Sequence, residues 1–217
     1  MGLLHLPRPI RAIAFDFDGV LVESLDIKAQ AFAELYRPYG ESVMARVVDY
    51  HQRHGGMSRY EKFRHFHREF LRLPLAEAEC EALGARFSGL VEAAVAACPW
   101  VPGALEFLRT EAARLPCYVV SATPTDELRT IVEQRGATAY FRGVFGTPES
   151  KPDILRRLRG AGAGREWLMV GDTLADYEAA EAAGMQFLGR LAPRESNPFP
   201  ASVPVVADLR TLAGLVR

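Results

Sequence analysis

Residues 15–24 read FDFDGVLVES and follow the apolar run 10–15 (IRAIAF), which predicts a strand that enters a protein core. Asp16 and Asp18 stand two residues apart where this strand should end. Side chains alternate between the two faces of a strand, so we expect both carboxylates to point the same way. An unpaired buried carboxylate is strongly destabilising. The sequence therefore predicts that a positive charge from elsewhere in the protein lies beside this pair.

Composition indicates a globular protein that acts on small ligands. The 217 residues carry 26 Lys and Arg against 27 Asp and Glu, and no block of like charge predicts binding to nucleic acid or to a membrane surface. Prolines and arginines interrupt residues 1–19, which lack the continuous apolar segment of a signal peptide. The widely spaced cysteines favour buried thiols over disulfides: Cys80, Cys98 and Cys117. We therefore predict a cytoplasmic location.

Beyond residue 97, short apolar runs alternate with amphipathic helical stretches. The runs that predict strands are 117–120, 167–170, 185–188 and 203–206, and residues 10–17 match the same pattern. Uniformly apolar strands separated by helices are typical of βαβ units, in which helices cover both faces of a parallel sheet. We therefore predict an α/β fold with a Rossmann-like parallel sheet.

Residues 25–96 have a different sequence pattern, with four stretches of helical periodicity separated by Pro- or Gly-containing breaks. An all-helical block inserted after the first strand of such a sheet is best interpreted as a cap domain. The predicted division is a core domain of residues 1–24 and 97–217 and an α-helical cap domain of residues 25–96. A short flexible link is predicted at residues 160–164 (GAGAG).

Further polar side chains fall at the predicted ends of other strands, the edge where open parallel sheets bind ligands. The stretch SATPTDE offers the hydroxyl of Ser121 beside a helix start, GTPESKPDIL carries Lys151, and VGDTLAD carries Asp172 and Asp176. Each taken singly has an ordinary explanation as a turn former, a helix cap or a solvated lysine. Together they predict one site in which Lys151 offsets the clustered carboxylates, and these hard oxygen ligands suit Mg²⁺.

The ordered segments DFDGVLVES, VVSATP, SKPD and MVGDTLAD resemble the four motifs of the haloacid dehalogenase-like (HAD) hydrolase superfamily. The helical insertion after the first motif is similar to the cap of subfamily I, which includes phosphoglycolate phosphatases and β-phosphoglucomutases. Dehalogenases of the superfamily lack an aspartate at the position of Asp18. The resemblance therefore implies a HAD-like core and a small phosphorylated metabolite as substrate.

The resemblance also implies roles for individual residues. Asp16 would be the nucleophile that forms an aspartyl-phosphate, and Asp18 would act as general acid and then as general base. Ser121 and Lys151 would bind phosphoryl oxygens. Backbone amides would assist near Phe17 and Ala122.

The same resemblance implies a bound Mg²⁺ ion. Its ligands would be the carboxylates of Asp16 and Asp172 and the backbone carbonyl of Asp18. Asp176 would support the metal or Lys151 without binding the metal directly.

The cap contributes a further candidate. The segment GMSR at residues 56–59 is similar to the substrate-specificity loop of β-phosphoglucomutases, which implies that Arg59 binds a distal anionic or polyhydroxyl part of the substrate. Lys62 is a weaker candidate on the same helix. An arginine in the first turn of a helix is equally often solvated, so both interpretations stay open here.

Two positions bear on the choice between hydrolase and mutase. Lys28 stands where β-phosphoglucomutases carry a histidine, and Gly171 stands where they carry a glutamate. A solvated helix lysine is the default interpretation of Lys28. The favoured prediction is therefore a Mg²⁺-dependent phosphatase. A sugar-phosphate mutase and a catalytically silent binding or regulatory protein with the same fold are the alternatives.

Overall fold

The computed structural model describes residues 9–160, 166–193 and 196–216, so nearly all of the predicted link at 160–164 lies outside the described residues. Within them, one parallel sheet has the strand order β3-β2-β1-β4-β5-β6. The strands are β1 (Ala12–Phe15), β2 (Cys117–Pro124), β3 (Gly143–Thr147), β4 (Trp167–Gly171), β5 (Gln186–Arg190) and β6 (Val205–Val206). Strand order reverses at β1, where such sheets form a ligand crevice beyond their carboxyl ends.

The cap consists of helices that follow β1. They are α1 (Leu25–Tyr36), α2 (Glu41–Arg53), α3 (Arg59–His65), which continues as a π-helical segment (Phe66–Leu71), and α4 (Glu77–Ala97). Aromatic side chains form the centre of the cap, with the ring of Phe32 4.5 Å from that of Phe87 and 5.8 Å from that of Phe63. The predicted helical cap is confirmed. The domain boundaries at residues 24 and 97 stay a prediction.

The remaining helices flank the sheet: α5 (Ala104–Glu111), α6 (Thr125–Gln134), α7 (Lys151–Arg159), α8 (Leu174–Ala182) and α9 (Leu212–Leu215). Alternating residues of β1 enter two separate hydrophobic clusters, Ile13 and Phe15 in one and Ala14 in the other. Both faces of the sheet are therefore covered, as the uniformly apolar strands predict. Among the described helices, none has the length and apolar character needed to cross a bilayer.

Two segments differ from the sequence-based expectation. The strand β3 was not among the predicted runs, because Gly143 and Gly146 interrupt its apolar character. The sequence pattern after residues 203–206 predicts a helix starting near Asp208, but the helix found there is the single turn of α9, which begins at Leu212. Neither difference alters the strand ends at which the candidate residues lie.

The chain passes between core and cap in two segments, near residues 22–23 and 99–100, and these segments lie side by side. Glu23 N donates a hydrogen bond to Pro99 O at 3.0 Å, and Val22 pairs with Trp100 in an isolated bridge. Arg190, at the end of β5, holds the segment between β1 and the cap in place. Its guanidinium donates hydrogen bonds to the Gly19 carbonyl at 2.9 Å and to the Glu23 carboxylate at 2.6 Å. Glu23 therefore has a structural role in anchoring the linker.

Candidate active site

Asp16 and Asp18 lie at the carboxyl end of β1, and both side chains are buried. Asp16 N donates to Val170 O at 2.9 Å, which extends the pairing with β4 by one residue beyond the strand. The turn that follows requires glycine: Gly19 has a φ of +76°, and a Cβ there would lie 2.5 Å from Asp172 Oδ2. The sharp turn therefore brings the first motif against the fourth.

Lys151 supplies the positive charge that the carboxylates require. It is the first residue of α7, which the side chain of Ser150 caps. Its ammonium lies 3.0 Å from Asp16 Oδ1 and 2.5 Å from Asp176 Oδ1. Burial alone would lower the pKa of Lys151, but the charges of Asp16 and Asp176 outweigh it and hold this pKa above its usual range. Lys151 is therefore permanently charged at neutral pH.

Asp18 accepts hydrogen bonds from several groups of the core and the cap. Ser24 Oγ donates to Oδ1 at 2.6 Å, Thr123 Oγ1 donates to Oδ2 at 3.1 Å, and the Lys28 ammonium pairs with Oδ2. Burial alone would raise the pKa of Asp18, but Lys28 and these hydrogen bonds outweigh it and lower this pKa. Asp18 is therefore ionised at neutral pH in this arrangement.

Lys28 is not the solvated lysine that the sequence suggests by default. Its side chain is largely buried, and its ammonium contacts Thr123 Oγ1 at 2.8 Å as well as Asp18. Sequence reasoning also missed Ser24 and Thr123, although both stand within the quoted motif segments. Their hydroxyls match the ordinary pattern of helix starts and strand ends, so nothing local marks them as partners of Asp18.

A group of carboxylates can hold a cation. One oxygen of each of Asp16, Asp172 and Asp176 lies within 4.8 Å of the others. Asp172 Oδ1 is buried without a hydrogen-bond partner, and so is Asp16 Oδ1 apart from its ion pair with Lys151. Burial and the neighbouring carboxylates raise the pKa of Asp16 to about 6 and that of Asp172 well above its usual range. These unsatisfied hard oxygen atoms fit a Mg²⁺ ion.

Asp176 is held in place by its other contacts. Oδ1 accepts from Lys151, and Oδ2 accepts from Thr173 N at 3.1 Å and from Thr173 Oγ1 at 2.6 Å. The side chain also fills the space beside Gly171, where a Cβ would lie 2.3 Å from Asp176 Cβ. Any side chain at position 171, including the glutamate of β-phosphoglucomutases, would therefore clash with Asp176 in this backbone arrangement.

The strand ends and the cap enclose a cavity of about 630 Å³. The predicted site residues that line it are Asp16, Asp18, Arg59, Ser121, Ala122, Lys151 and Asp172, together with Lys28 and Lys62. The side chain of Phe17 is buried in the core cluster, and Asp176 lies behind Lys151. Ser121 Oγ accepts from Thr123 N at 3.2 Å and lies 3.5 Å from Asp18 Oδ2.

Arg59 reaches the cavity wall, but its guanidinium is bound by the protein itself. It forms two hydrogen bonds with the carboxylate of Glu127, at 2.8 and 2.6 Å, and a third with Ser88 Oγ at 2.8 Å. Glu127 lies in the first turn of α6, so this buried ion pair joins the cap to the core. An acidic residue at a helix start is common, which is why the sequence did not single out Glu127.

The Arg59–Glu127 pair gives a first stability prediction. Arg59→Gln should lower the free energy of unfolding by about 3 kcal/mol, because it leaves a buried carboxylate unpaired. The double variant Arg59→Gln/Glu127→Gln should lose less than the sum of the single losses, with a coupling of at least about 1 kcal/mol in urea unfolding. Arg64→Gln, which breaks the exposed pair with Glu77, is the control and should change stability by less than about 0.5 kcal/mol. Additive single losses at Arg59 and Glu127 would contradict the pairing.

Comparison with known proteins agrees with this geometry. The sequence model of the haloacid dehalogenase-like hydrolase family matches residues 10–184 of this chain. Phosphoglycolate phosphatase of Pseudomonas putida is 30% identical over 124 residues, a match that covers 52% of this chain and 45% of that protein. The chain thus spans less than half the length of that relative.

Two solved structures share the fold. β-Phosphoglucomutase of Clostridium difficile has a TM-score of 0.74 at 17% identity, over 94% of this chain and 93% of that chain. YfnB of Bacillus subtilis, a proposed HAD-hydrolase solved bound to magnesium, has a TM-score of 0.71 at 17% identity, over 97% and 100%. The chain belongs to the haloacid dehalogenase-like hydrolase family.

Proposed function

We propose that this protein is a Mg²⁺-dependent phosphatase that hydrolyses a small phosphorylated metabolite through an aspartyl-phosphate at Asp16. One observation carries the proposal: Asp16 lines the cavity with a buried carboxylate that is paired to Lys151 but is not completed by hydrogen bonds. The family to which the chain belongs and its similarity to a phosphoglycolate phosphatase support phosphatase chemistry in general.

In the proposed first step, an oxygen of Asp16 attacks the phosphorus of the substrate and the bond to the leaving oxygen breaks. Lys151 offsets the negative charge of the phosphoryl oxygens and holds Asp16 in position. Ser121 binds another phosphoryl oxygen through its hydroxyl, assisted by backbone amides near Phe17 and Ala122. Most of the catalytic effect in such transfers comes from positioning and charge neutralisation.

Asp18 is proposed to handle the protons of both steps. In the second step it accepts a proton from the water that attacks the aspartyl-phosphate, for which the carboxylate must be ionised, as its lowered pKa ensures at neutral pH. In the first step it must carry a proton to the leaving oxygen. That step requires Lys28 to withdraw from Asp18 or to release a proton to it, because the ammonium favours the ionised carboxylate.

The residues that would hold Mg²⁺ are Asp16 and Asp172, with the backbone carbonyl of Asp18, while Asp176 keeps Lys151 and Thr173 in place. When bound, the ion supplies positive charge to the phosphoryl group and to the two carboxylates with unsatisfied oxygens. The fit rests on the buried, unpartnered Asp172 Oδ1.

The test is phosphate release from a panel of sugar phosphates, nucleotides and phosphorylated acids, with MgCl₂ or with EDTA. We expect at least one ester to be hydrolysed with Mg²⁺ and the rate to fall at least about 100-fold with EDTA, because unneutralised charge at the phosphoryl group raises the barrier. Turnover that persists in full with EDTA would contradict the metal requirement. Bisphosphate-activated isomerisation faster than hydrolysis would instead identify a mutase.

A further inference from the structure

The cap wall of the cavity carries a buried cation that the proposed phosphatase chemistry does not use. Lys62 lies on α3, three residues after Arg59, and its side chain is 2% exposed. Its ammonium lies 2.9 Å from His51 Nδ1. Among the described residues the ammonium has no second hydrogen-bond partner and forms no ion pair, and its further contact is with the ring of Phe32, whose centre lies 5.6 Å away.

The other cations that line the cavity are already paired with carboxylates. Lys151 pairs with Asp16 and Asp176, Lys28 with Asp18, Arg59 with Glu127 and Arg53 with Asp49. Among the described residues that line the cavity, Lys62 is the cation that forms no ion pair. A buried ammonium without a carboxylate is costly, so its presence in a ligand cavity indicates a charge that the ligand compensates.

His51 is the neutral partner of this lysine. Burial and the charge of Lys62 lower the pKa of His51 to about 3, so the ring is uncharged at neutral pH and Nδ1 can accept from the ammonium. Burial and the nearby charge of Lys28 also lower the pKa of Lys62, to about 7. The charge of Asp18 acts in the opposite direction and raises the pKa of Lys62. An arriving anion would favour the charged lysine again.

Arg59 gives Lys62 a fixed position. The two residues are three apart on α3 and share one face of the helix. The ion pair of Arg59 with Glu127 ties this face to the core, and the capping box of Ser58 and Glu61 fixes the start of the helix. The resemblance implied a recognition role for Arg59, but Arg59 is paired with Glu127, whereas Lys62 forms no ion pair among the described residues and is better placed for that role.

We propose that Lys62 binds a carboxylate of the substrate, so that the substrate class is a phosphorylated carboxylic acid. The inference rests on the proposed phosphatase function of the same site. A carboxylate matches the single unpaired ammonium in charge, whereas a second phosphate dianion would require more unpaired cations than the described cavity offers. The phosphoryl group is bound at Asp16 and Lys151, and the carboxylate contacts Lys62 on the cap side.

The experiment compares matched pairs of substrates that differ in the carboxylate: 3-phosphoglycerate with glycerol 3-phosphate, and phosphoglycolate with 2-hydroxyethyl phosphate. We expect kcat/KM of the wild-type protein to favour the acid of at least one pair by at least about tenfold, the effect of one charged hydrogen bond. In Lys62→Met the preference should fall to within about twofold, through a higher KM for the acid with kcat nearly unchanged. Lys62→Arg, which keeps the charge, should retain a preference for the acid.

Arg53→Gln is the matched control, because Arg53 lines the same cavity but is exposed and paired with Asp49. It should leave the preference unchanged. A parallel loss of kcat/KM for both members of a pair in Lys62→Met would overturn the proposal, since a purely structural role has that effect. Hydrolysis of glycerol 1,3-bisphosphate in preference to either acid, lost in Lys62→Met, would also overturn the assignment to a carboxylate.

A binding measurement separates this inference from the proposed function. Calorimetric titration of Asp16→Asn with 3-phosphoglycerate and with glycerol 3-phosphate reports the subsite without turnover. Tighter binding of the acid, lost in Asp16→Asn/Lys62→Met, supports the role of Lys62 even if no ester is hydrolysed by the wild-type protein. Equal binding of both ligands would overturn it, while active wild-type protein would still support the phosphatase proposal.

Discussion

Asp16→Asn should abolish phosphate release, with a fall in kcat of at least about 10⁴-fold, while the metal-free protein becomes at least as stable as the wild type. The amide retains the size of the carboxylate but cannot form the aspartyl-phosphate. The measurement is phosphate release at saturating substrate, together with thermal unfolding in EDTA. A variant that retains more than about 1% of the wild-type rate would contradict the nucleophilic role of Asp16.

The stability half of this prediction follows from the raised pKa of Asp16. Burial raises the pKa from its ordinary value of 3.8 to about 6, so the folded state binds a proton more readily than the unfolded state. The stabilisation is complete below pH 3.8 and is lost as the pH rises through about 6. At pH 7.5 the wild type therefore bears the cost of a buried charge that asparagine lacks, on the order of 1 to 3 kcal/mol.

Addition of Mg²⁺ should reverse the order of stability. The ion stabilises the folded protein through its carboxylate ligands, and Asp16→Asn removes one of the charges that bind it. The wild type should therefore gain more in melting temperature from MgCl₂ than the variant does. Equal gains would indicate that the ion binds elsewhere and would count against Asp16 as a ligand.

The sequence predicted the features that depend on a repeated local pattern, namely apolar runs separated by helices, with polar residues where the runs end. Uniformly apolar strands predicted the parallel sheet, and the motif order placed Asp16, Ser121, Lys151 and Asp172 on one cavity, because the carboxyl ends of parallel strands lie at one edge. The amphipathic stretch after residues 117–120 predicts a helix from about Thr125 to Gln134, and α6 has those bounds in the structure. Patterns of this kind depend on local spacing, which the sequence displays directly.

The contacts that cross between cap and core could not be predicted in this way. Lys28 is separated from Thr123 by 95 positions, and Arg59 from Glu127 by 68. Whether such a lysine or arginine is solvated or buried depends on how the cap rests on the sheet, which no local pattern records. For the same reason, Lys62 is the weaker candidate in the sequence, although among the described residues Arg59 pairs with Glu127 and Lys62 forms no ion pair.

Lys151→Met should have the largest effect on stability, lowering the free energy of unfolding by about 3 to 5 kcal/mol at pH 8. The variant leaves Asp16 and Asp176 buried beside each other without their common cation. Phosphate release should fall at least about 10³-fold, since the charge that neutralises the phosphoryl oxygens is also lost. Chemical unfolding in EDTA and phosphate release measure the two effects separately.

The pH dependence of this loss distinguishes lost charge compensation from lost packing. The charge of Lys151 lowers the pKa of Asp16, so its removal raises that pKa further above about 6, and the folded variant takes up protons that the unfolded chain does not. The variant should therefore be more stable at pH 5 than at pH 8, and its deficit relative to the wild type should shrink as the pH falls. A deficit that is constant between pH 5 and pH 8 would show that the methylenes of Lys151, not its charge, stabilise the fold.

Lys62→Met is the matched control, because it also replaces a buried lysine of the same cavity. The pKa of Lys62 is lowered to about 7, whereas that of Lys151 is raised, so the folded state disfavours a charged Lys62. This cost is fully present below pH 7 and disappears as the pH rises through about 7 toward 10.5, where the unfolded lysine loses its proton. Lys62→Met should thus stabilise the protein at pH 6, by a few kcal/mol at most, while Lys151→Met destabilises it. The two substitutions should change stability in opposite directions only if carboxylates of the protein compensate the charge of Lys151 and no carboxylate of the protein compensates that of Lys62.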